Sequence, residues 1–286
     1  MNNRRTVLAC IDGSAFSDAV ADYAGWIARR VDAPVTLLHN IEHGHSADSN
    51  LSGNLTPGER EELLEELTEL ESRRSKILIE QGRRMLDSAY QRLLDSGVTK
   101  PALLQRHGSL VDSLIEMEEE IRVLVVGVRG ESHGREASVL GTQLEPVIRA
   151  MHRPVLVVNR DFQRIPERLM IAYDGSEAAS KGLDMLTLSP LYRGMECHLV
   201  HVGENSSRDQ DILAEGVAIL KQAGLEVTGS NLTGDVEEAL LQYQQSHNID
   251  LIVMGAFGHS RLREILFGSR TLSILSNARI PLLLLR

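Results

Sequence analysis

The stretch Asp250-Leu-Ile-Val-Met-Gly255-Ala-Phe-Gly258-His-Ser-Arg-Leu-Arg-Glu-Ile-Leu-Phe-Gly268-Ser269 decides the fold. Leu251 to Met254 is a short apolar run with β-branched members, stopped by Gly255, which predicts a buried strand. After Ser269 the pattern turns helical, and the chain closes on a second apolar run, Pro281 to Leu285. A strand therefore feeds a glycine-punctuated loop, and the loop feeds a helix start. Glycine at the strand end lets the backbone turn sharply and lets a ligand approach without meeting a Cβ. A helix start offers unpaired N–H groups and the positive end of a dipole, which suit an anion such as phosphate. Ser269 has the chemistry to cap that helix or to donate to a phosphate oxygen. His259, Arg261 and Arg263 add donors and positive charge. Two readings stand for this stretch alone: an anion-binding loop, or glycines that only shape a βα connection.

The same design occurs earlier in the chain. Leu124 to Gly127 is another apolar run ending in glycine, followed by Gly130, by Gly141-Thr142 and by Pro154 to Val158. The later copy reads Gly-x2-Gly-x9-Gly-Ser, and the earlier one Gly-x2-Gly-x10-Gly-Thr, one residue longer, with Gly134 and Glu136 inside it. Two copies of so particular a loop indicate an internal repeat.

The repeat extends to the starts of both halves. Val7 to Ile11 reads as a strand ending in Asp12-Gly13-Ser14, followed by a helix from about Phe16 to Arg30, with Ser14 or Ser17 as its cap. A second strand runs from Pro34 to Asn40. Leu169 to Tyr173, Asp174-Gly175-Ser176 and Cys197 to Val202 repeat the plan, with His201 in the place of His39. Asp12 and Asp174 are 162 residues apart, yet Pro154 and Pro281 are only 127 apart. The first half therefore holds an insertion of roughly 36 residues, expected at about 43–84. Leu63, Leu67, Leu70 and Ile77 in it fall on one helical face. That insertion reads either as a longer second helix with a solvated acidic face or as a surface for a partner.

Each half alternates β and α five strands deep, which predicts an α/β fold: two tandem doubly wound parallel five-stranded sheets with helices on both faces. Domain limits of 1–160 and 166–286 follow. In such sheets ligands lie at the carboxyl ends of strands. Asp12, Asn40, Gly108, Gly127 and the loop to Thr142 share that rim in the first half. Asp174, Val202, Gly234, Gly255 and the loop to Ser269 share it in the second.

Composition bounds the class. Over 286 residues, 42% are hydrophobic and 24% charged, as in globular proteins. A net charge of -10 argues against a dedicated nucleic-acid binder, and 3% aromatic residues argue against a base-stacking platform. The start, Met1-Asn-Asn-Arg-Arg, leads into a strand without the apolar region of a signal peptide, and no apolar run approaches a membrane span, so a cytoplasmic location is expected. Cys10 and Cys197 show no metal-ligand spacing and read as buried thiols.

Two αβ repeats of this design, each with strand-Asp-Gly-Ser, a second strand ending His-Asn or His-Val, and Gly-x2-Gly-x9/10-Gly-(Ser/Thr), resemble a tandem universal stress protein of the UspA superfamily, with an adenine nucleotide alpha hydrolase-like fold. The glycine spacing is similar to that of the family's ATP-binding branch rather than the branch that has lost these glycines. The resemblance implies that Asp174 and the backbone at Val202 hold the adenine and ribose end of ATP or another adenine nucleotide. Gly255, Gly258, Gly268 and Ser269 would wrap its phosphates with a divalent ion, Mg2+ or Mn2+. The matching positions of the first half are Asp12, Asn40, Gly127, Gly130, Gly141 and Thr142. The extra residue there makes the second half the better expected site.

No Gly-Lys-Ser/Thr and no Gly-x-Gly-x-x-Gly after a first strand occurs, which argues against a Walker-A or dinucleotide site. His133 and His259 occupy similar places, as phosphate contacts or as exposed loop residues. His43, His45 and Asp48 read as a metal site or as a polar loop. No nucleophile with an adjacent base stands at recognisable spacing, so no fast catalysis is expected. Three functions remain open: a nucleotide-binding stress-response regulator, a nucleotide-free scaffold, and a very slow ATPase. Proline leads each last strand, Val155 to Val158 and Leu282 to Leu285, and suits a strand start. Edge strands invite pairing, and in single-domain relatives the last strand often forms the dimer, so these two are expected to meet within the chain. The stripe on the insertion is then left for a homodimer.

Overall fold

The computed structural model describes residues 5–42, 57–130, 140–255 and 269–285. The first half runs β1 (Thr6–Cys10), α1 (Ser17–Val31), β2 (Val35–Ile41), α2 (Pro57–Asp95), β3 (Ala102–His107), α3 (Leu110–Met117), β4 (Ile121–Gly127), α4 (Leu144–Ala150), β5 (Val155–Val158). The second runs β6 (Arg168–Ala172), α5 (Glu177–Leu188), β7 (Glu196–Val202), α6 (Ser207–Gln222), β8 (Glu226–Leu232), α7 (Val236–Ser246), β9 (Leu251–Gly255), α8 (Ser269–Asn277), β10 (Leu282–Leu285). Within each half every strand pair is parallel. The strand orders, β3-β2-β1-β4-β5 and β8-β7-β6-β9-β10, are the same.

The halves are continuous. β10 pairs with β5 antiparallel, Leu283 opposite Leu156, to make one ten-stranded sheet. This is the pairing expected of the two proline-led strands. All eight residues of β5 and β10 are buried. Side chains alternate across a strand, so Leu156, Val158, Leu283 and Leu285 join the core under α1, α2, α5 and α6. Val155, Val157, Leu282 and Leu284 join the core on the opposite face. Each core therefore contains residues of both halves.

α1 is buried along a broad face that includes Tyr23, Trp26 and Ile27. Its alanines, Ala19, Ala21, Ala24 and Ala28, are buried too and keep it close to the sheet. The expected caps are not used: the N-cap is Phe16, with no side-chain cap bond. Ser17 is held by the preceding turn instead, where its Oγ accepts from the Gly13 N–H (2.9 Å) and donates to Asp12 Oδ1 (3.0 Å). The matching helix α5 is capped by Ser176, which accepts from the Ala179 N–H at 3.1 Å. α2 is 39 residues long, against 16 for its counterpart α6. It crosses the sheet closely at Gly82, where a Cβ would overlap the His39 ring and the Gln105 amide.

Between β5 and β6 the chain is pinned by Asp250, which is 3% exposed. Its carboxylate accepts from the Glu167 N–H (3.0 Å), the Arg168 N–H (3.1 Å) and the Arg164 guanidinium (2.7 Å). Burial pushes its pKa up, but these three donors outweigh burial and hold it below the usual value. A carboxylate depressed in this way contributes stability above its unfolded pKa of about 3.9, and the contribution is lost as pH falls through the lower folded value. Asp250→Asn is expected to cost about 2 kcal/mol at neutral pH, with the difference closing below about pH 4. Urea unfolding at pH 7 and pH 3 checks this; equal stability of variant and parent at pH 7 would contradict it.

Candidate functional site

A cleft of about 300 Å³ opens at the carboxyl ends of the first-half strands. Asp12, Asn40, Gly127, Gly130, Gly141 and Thr142 line it, as expected from the sequence, whereas Gly108, also placed on that rim, is not among its lining residues. Strand order brings them together. β1 lies between β2 and β4, with Cys10 opposite Leu38 and Ala9 opposite Val125. Asp12, Asn40 and Gly127 each lie two residues past one of these paired positions, so they share the rim.

The Asp12 turn is preorganised. Gly13 has φ +77° and Gly175, its counterpart, +72°, the left-handed region that glycine enters at low cost. Asp12 Oδ1 accepts from the Ser14 N–H at 3.0 Å as well as from Ser17 Oγ. Asp174 Oδ1 accepts from the Ser176 N–H at the same distance. His39 is buried, and its Nδ1–H donates to the Ile11 carbonyl at 2.7 Å. His201 does the same to Tyr173, at 2.8 Å. A carbonyl only accepts, so Nδ1 carries the proton in both rings. Each histidine thus positions the strand end that presents the aspartate.

The glycines pack on one another. A Cβ on Gly141 would stand 3.2 Å from the Gly130 nitrogen and 3.3 Å from Arg129 Cα. One on Gly130 would stand 3.5 Å from Asp12 Oδ2. The Gly141 N–H donates to the Val128 carbonyl at 3.0 Å, which ties the end of the loop back to the end of β4. Asn40 does not offer its side chain to the cleft. Its Nδ2 donates to the Gly108 carbonyl (2.6 Å) and its Oδ1 accepts from Ser113 Oγ (3.0 Å), so it braces the wall.

Other lining residues were not found from sequence. Glu42 accepts from Gln143 Nε2 at 3.2 Å, a bond that joins the end of β2 to the N-cap of α4. Gln143 directly follows the Gly-Thr pair, which is the one signal available for it. Leu38, Ile41, Leu110, Val126 and Val147 make the apolar wall. Cys10 also lines the cleft and is only partly buried, a correction to the expectation of two buried thiols; Cys197 is fully buried. Burial, and then the charge of Asp12, push the Cys10 thiol up to about 12. Such a thiol stays protonated at neutral pH and is a poor nucleophile.

In the second half Asp174, Val202 and Gly255 lie at the ends of adjacent strands β6, β7 and β9, and Ser269 opens α8. Gly258 and Gly268 lie outside the described residues, as do Arg261, Arg263, His133, His259, His43, His45, Asp48, Gly134 and Glu136. Among the described residues no group of three or more His, Cys, Asp or Glu is arranged to hold a metal ion. No helix among them is long and apolar enough to cross a membrane.

A model described as "Universal stress protein family" matches residues 3–159 and 206–286. A universal stress protein of Synechocystis is 34% identical over 287 residues, covering 99% of this chain and 100% of the relative. A universal stress protein of Mycolicibacterium smegmatis is 23% identical, over 98% of this chain and 96% of its own. The crystal structure of a universal stress protein from Archaeoglobus fulgidus matches with a TM-score of 0.74 at 21% identity, over 98% of each chain. That likeness is one of fold.

Proposed function

Because the chain belongs to the universal stress protein family, we propose that it binds an adenine nucleotide, ATP foremost, and acts as a stress-response regulator whose stability or choice of partner follows occupancy. What supports this best is that Asp12, Asn40, Gly127, Gly130, Gly141 and Thr142, distant in sequence, line one cleft. Its volume is at the small end of the range for small-molecule sites, which is about 300–1,000 Å³. The apolar wall of Leu38, Ile41, Leu110 and Val126 suits the face of a base. Asp12 and the Asn40 backbone take the adenine and ribose end. Gly130, Gly141 and Thr142 take the phosphates, since no Cβ stands between backbone and ligand at the glycines. Asp12 and Glu42 bring negative charge, and Mg2+ or Mn2+ carried on the phosphate oxygens would offset it. A second site of the same design is proposed at Asp174, Val202, Gly255, Gly258, Gly268 and Ser269. Its shorter loop spacing makes it the tighter of the two.

Binding rather than catalysis is expected of this arrangement. The one thiol in the first cleft is held protonated, and hydrolysis is expected far below the roughly 10 per second typical of enzymes. The test is to denature the purified chain and identify the released small molecules by mass spectrometry, with a thermal melt in added ATP alongside. The expected results are an adenine nucleotide in the released fraction and a raised Tm, since a ligand at 100 times its Kd adds about 2.7 kcal/mol. A chain that carries no such nucleotide, and whose Tm does not move in millimolar ATP, would overturn the proposal.

A further inference from the structure

A groove of about 890 Å³ lies at the opposite end of the first-half sheet from the cleft. Arg5, Arg122 and Arg153 line it at the starts of β1, β4 and β5, and Met185 and Leu188 of α5 line it from the second half. The repeat shows what such a place can hold. Asp12 matches Asp174 and Gly127 matches Gly255, so Tyr23 matches Met185, Trp26 matches Leu188 and Arg122 matches Asp250. The groove therefore has a counterpart around Tyr23 and Asp250, and there the linker between β5 and β6 fills it. Phe162 packs edge-on against Tyr23, ring centroids 4.7 Å apart, and Arg164 donates to the Asp250 carboxylate at 2.7 Å. Tyr23 and Trp26 are buried, but Met185 and Leu188 are 37% and 83% exposed. The same two helix positions are thus covered in one half and open in the other.

The charges say which chemistry fits the open groove. Arg5 and Arg153 share the carboxylate of Glu119, at 3.8 Å and 3.1 Å, and Glu119 is the one acid in the lining among the described residues. Glu118, which pairs with His152, and Glu120 lie outside the lining. Arg122 has no ion-pair or hydrogen-bond partner for its side chain among the described residues. In the filled counterpart the sheet supplies a carboxylate, Asp250, and the linker supplies the guanidinium. In the open groove the sheet supplies a guanidinium at the same position, so the occupant must bring the carboxylate. We propose that this groove binds an extended segment of a partner protein. Its aromatic side chain rests on Met185 and Leu188, and an acidic residue two positions later, as Arg164 follows Phe162, pairs with Arg122. The site is independent of the nucleotide clefts.

Fluorescence anisotropy with the full chain and labelled synthetic peptides tests this. The probe is a peptide of the sequence of residues 159–166 carrying the Arg164→Asp change, and the unaltered sequence is its control. The acidic probe is expected to bind saturably, and the control at least about tenfold more weakly. Leu188→Asp in the protein is expected to weaken the probe by more than about tenfold. That side chain is largely exposed, so the circular dichroism of the variant should match the parent. Arg122→Asp is expected to reverse the preference, so that the control binds better than the acidic probe. No saturable binding of the acidic probe up to about 1 mM, the outcome if another part of the chain fills the groove, would overturn the proposal. So would binding indifferent to both variants. Vesicles of phosphatidylglycerol that retain the parent but not Arg122→Asp, with no binding of the probe, would assign the groove to a lipid surface and overturn it too.

Discussion

Gly141→Val is expected to remove nucleotide binding from the first half and leave the second half intact. The cause is steric and local. The first carbon of any side chain at Gly141 would stand 3.2 Å from the Gly130 nitrogen, 3.3 Å from Arg129 Cα and 3.5 Å from the Val128 oxygen. These are backbone atoms, which do not swing aside as the end of a flexible side chain does. Valine adds two methyl groups beyond that carbon, so the loop must move away from β4. That motion separates Thr142 and Gly130 from Asp12, which lie around one cleft in the parent. Loss of the phosphate contacts is expected to weaken ATP there by at least about a hundredfold, or roughly 2.7 kcal/mol. Gly141 is a rim residue, so the Tm without ligand should change little. Gly268→Val is the companion variant and is expected to abolish binding in the second half. Calorimetry resolves the two sites; an unchanged first-half Kd in Gly141→Val would reject the placement of the phosphates.

The second large effect lies at the junction. Leu283 is 2% exposed and sits opposite Leu156 in the antiparallel pair. Both leucines belong to the core that also holds Trp26 of the first half and Leu199 of the second. Leu283→Asp would bury a carboxylate there with no apparent partner, at a cost of about 4 kcal/mol. Since the core is shared, both halves should be destabilised together. Urea unfolding of the parent is expected to show one cooperative transition. The variant's midpoint should fall by on the order of 1 M, for a denaturant slope of about 3 kcal/mol per M. A midpoint that does not move, or a variant that loses one half while the other unfolds as before, would show that the halves are separate bodies.

Much of this architecture was legible because it is written twice. One Asp-Gly-Ser turn after an apolar run is a common loop; two of them, 162 residues apart, each followed by the same glycine spacing, define a repeat. The β5–β10 junction was expected because Pro154 and Pro281 suit strand starts, because edge strands invite pairing, and because the resemblance implied association through the last strand. What failed or was missed depends on geometry that sequence spacing does not carry. Ser17 has the right chemistry for a cap, but Asp12 holds it in the turn before the helix begins. Cys10 ends its strand at the rim, so it lines the cleft although it belongs to an apolar run. Glu42 and Gln143 are 101 residues apart and meet only because β2 and β4 flank β1. Asn40 was read as a rim residue, and it is one, but its side chain braces the wall through Gly108 and Ser113.

The account turns on nucleotide binding at the strand ends, and a calorimetric titration of ATP into the full chain, stripped of nucleotide under mild denaturation and refolded, tests it most directly. The predicted result is saturable binding at two sites per chain, reduced to one by Gly141→Val or by Gly268→Val and to none by both. A refolded chain with the parent's circular dichroism that shows no saturable heat with ATP, with or without Mg2+ or Mn2+, would contradict it.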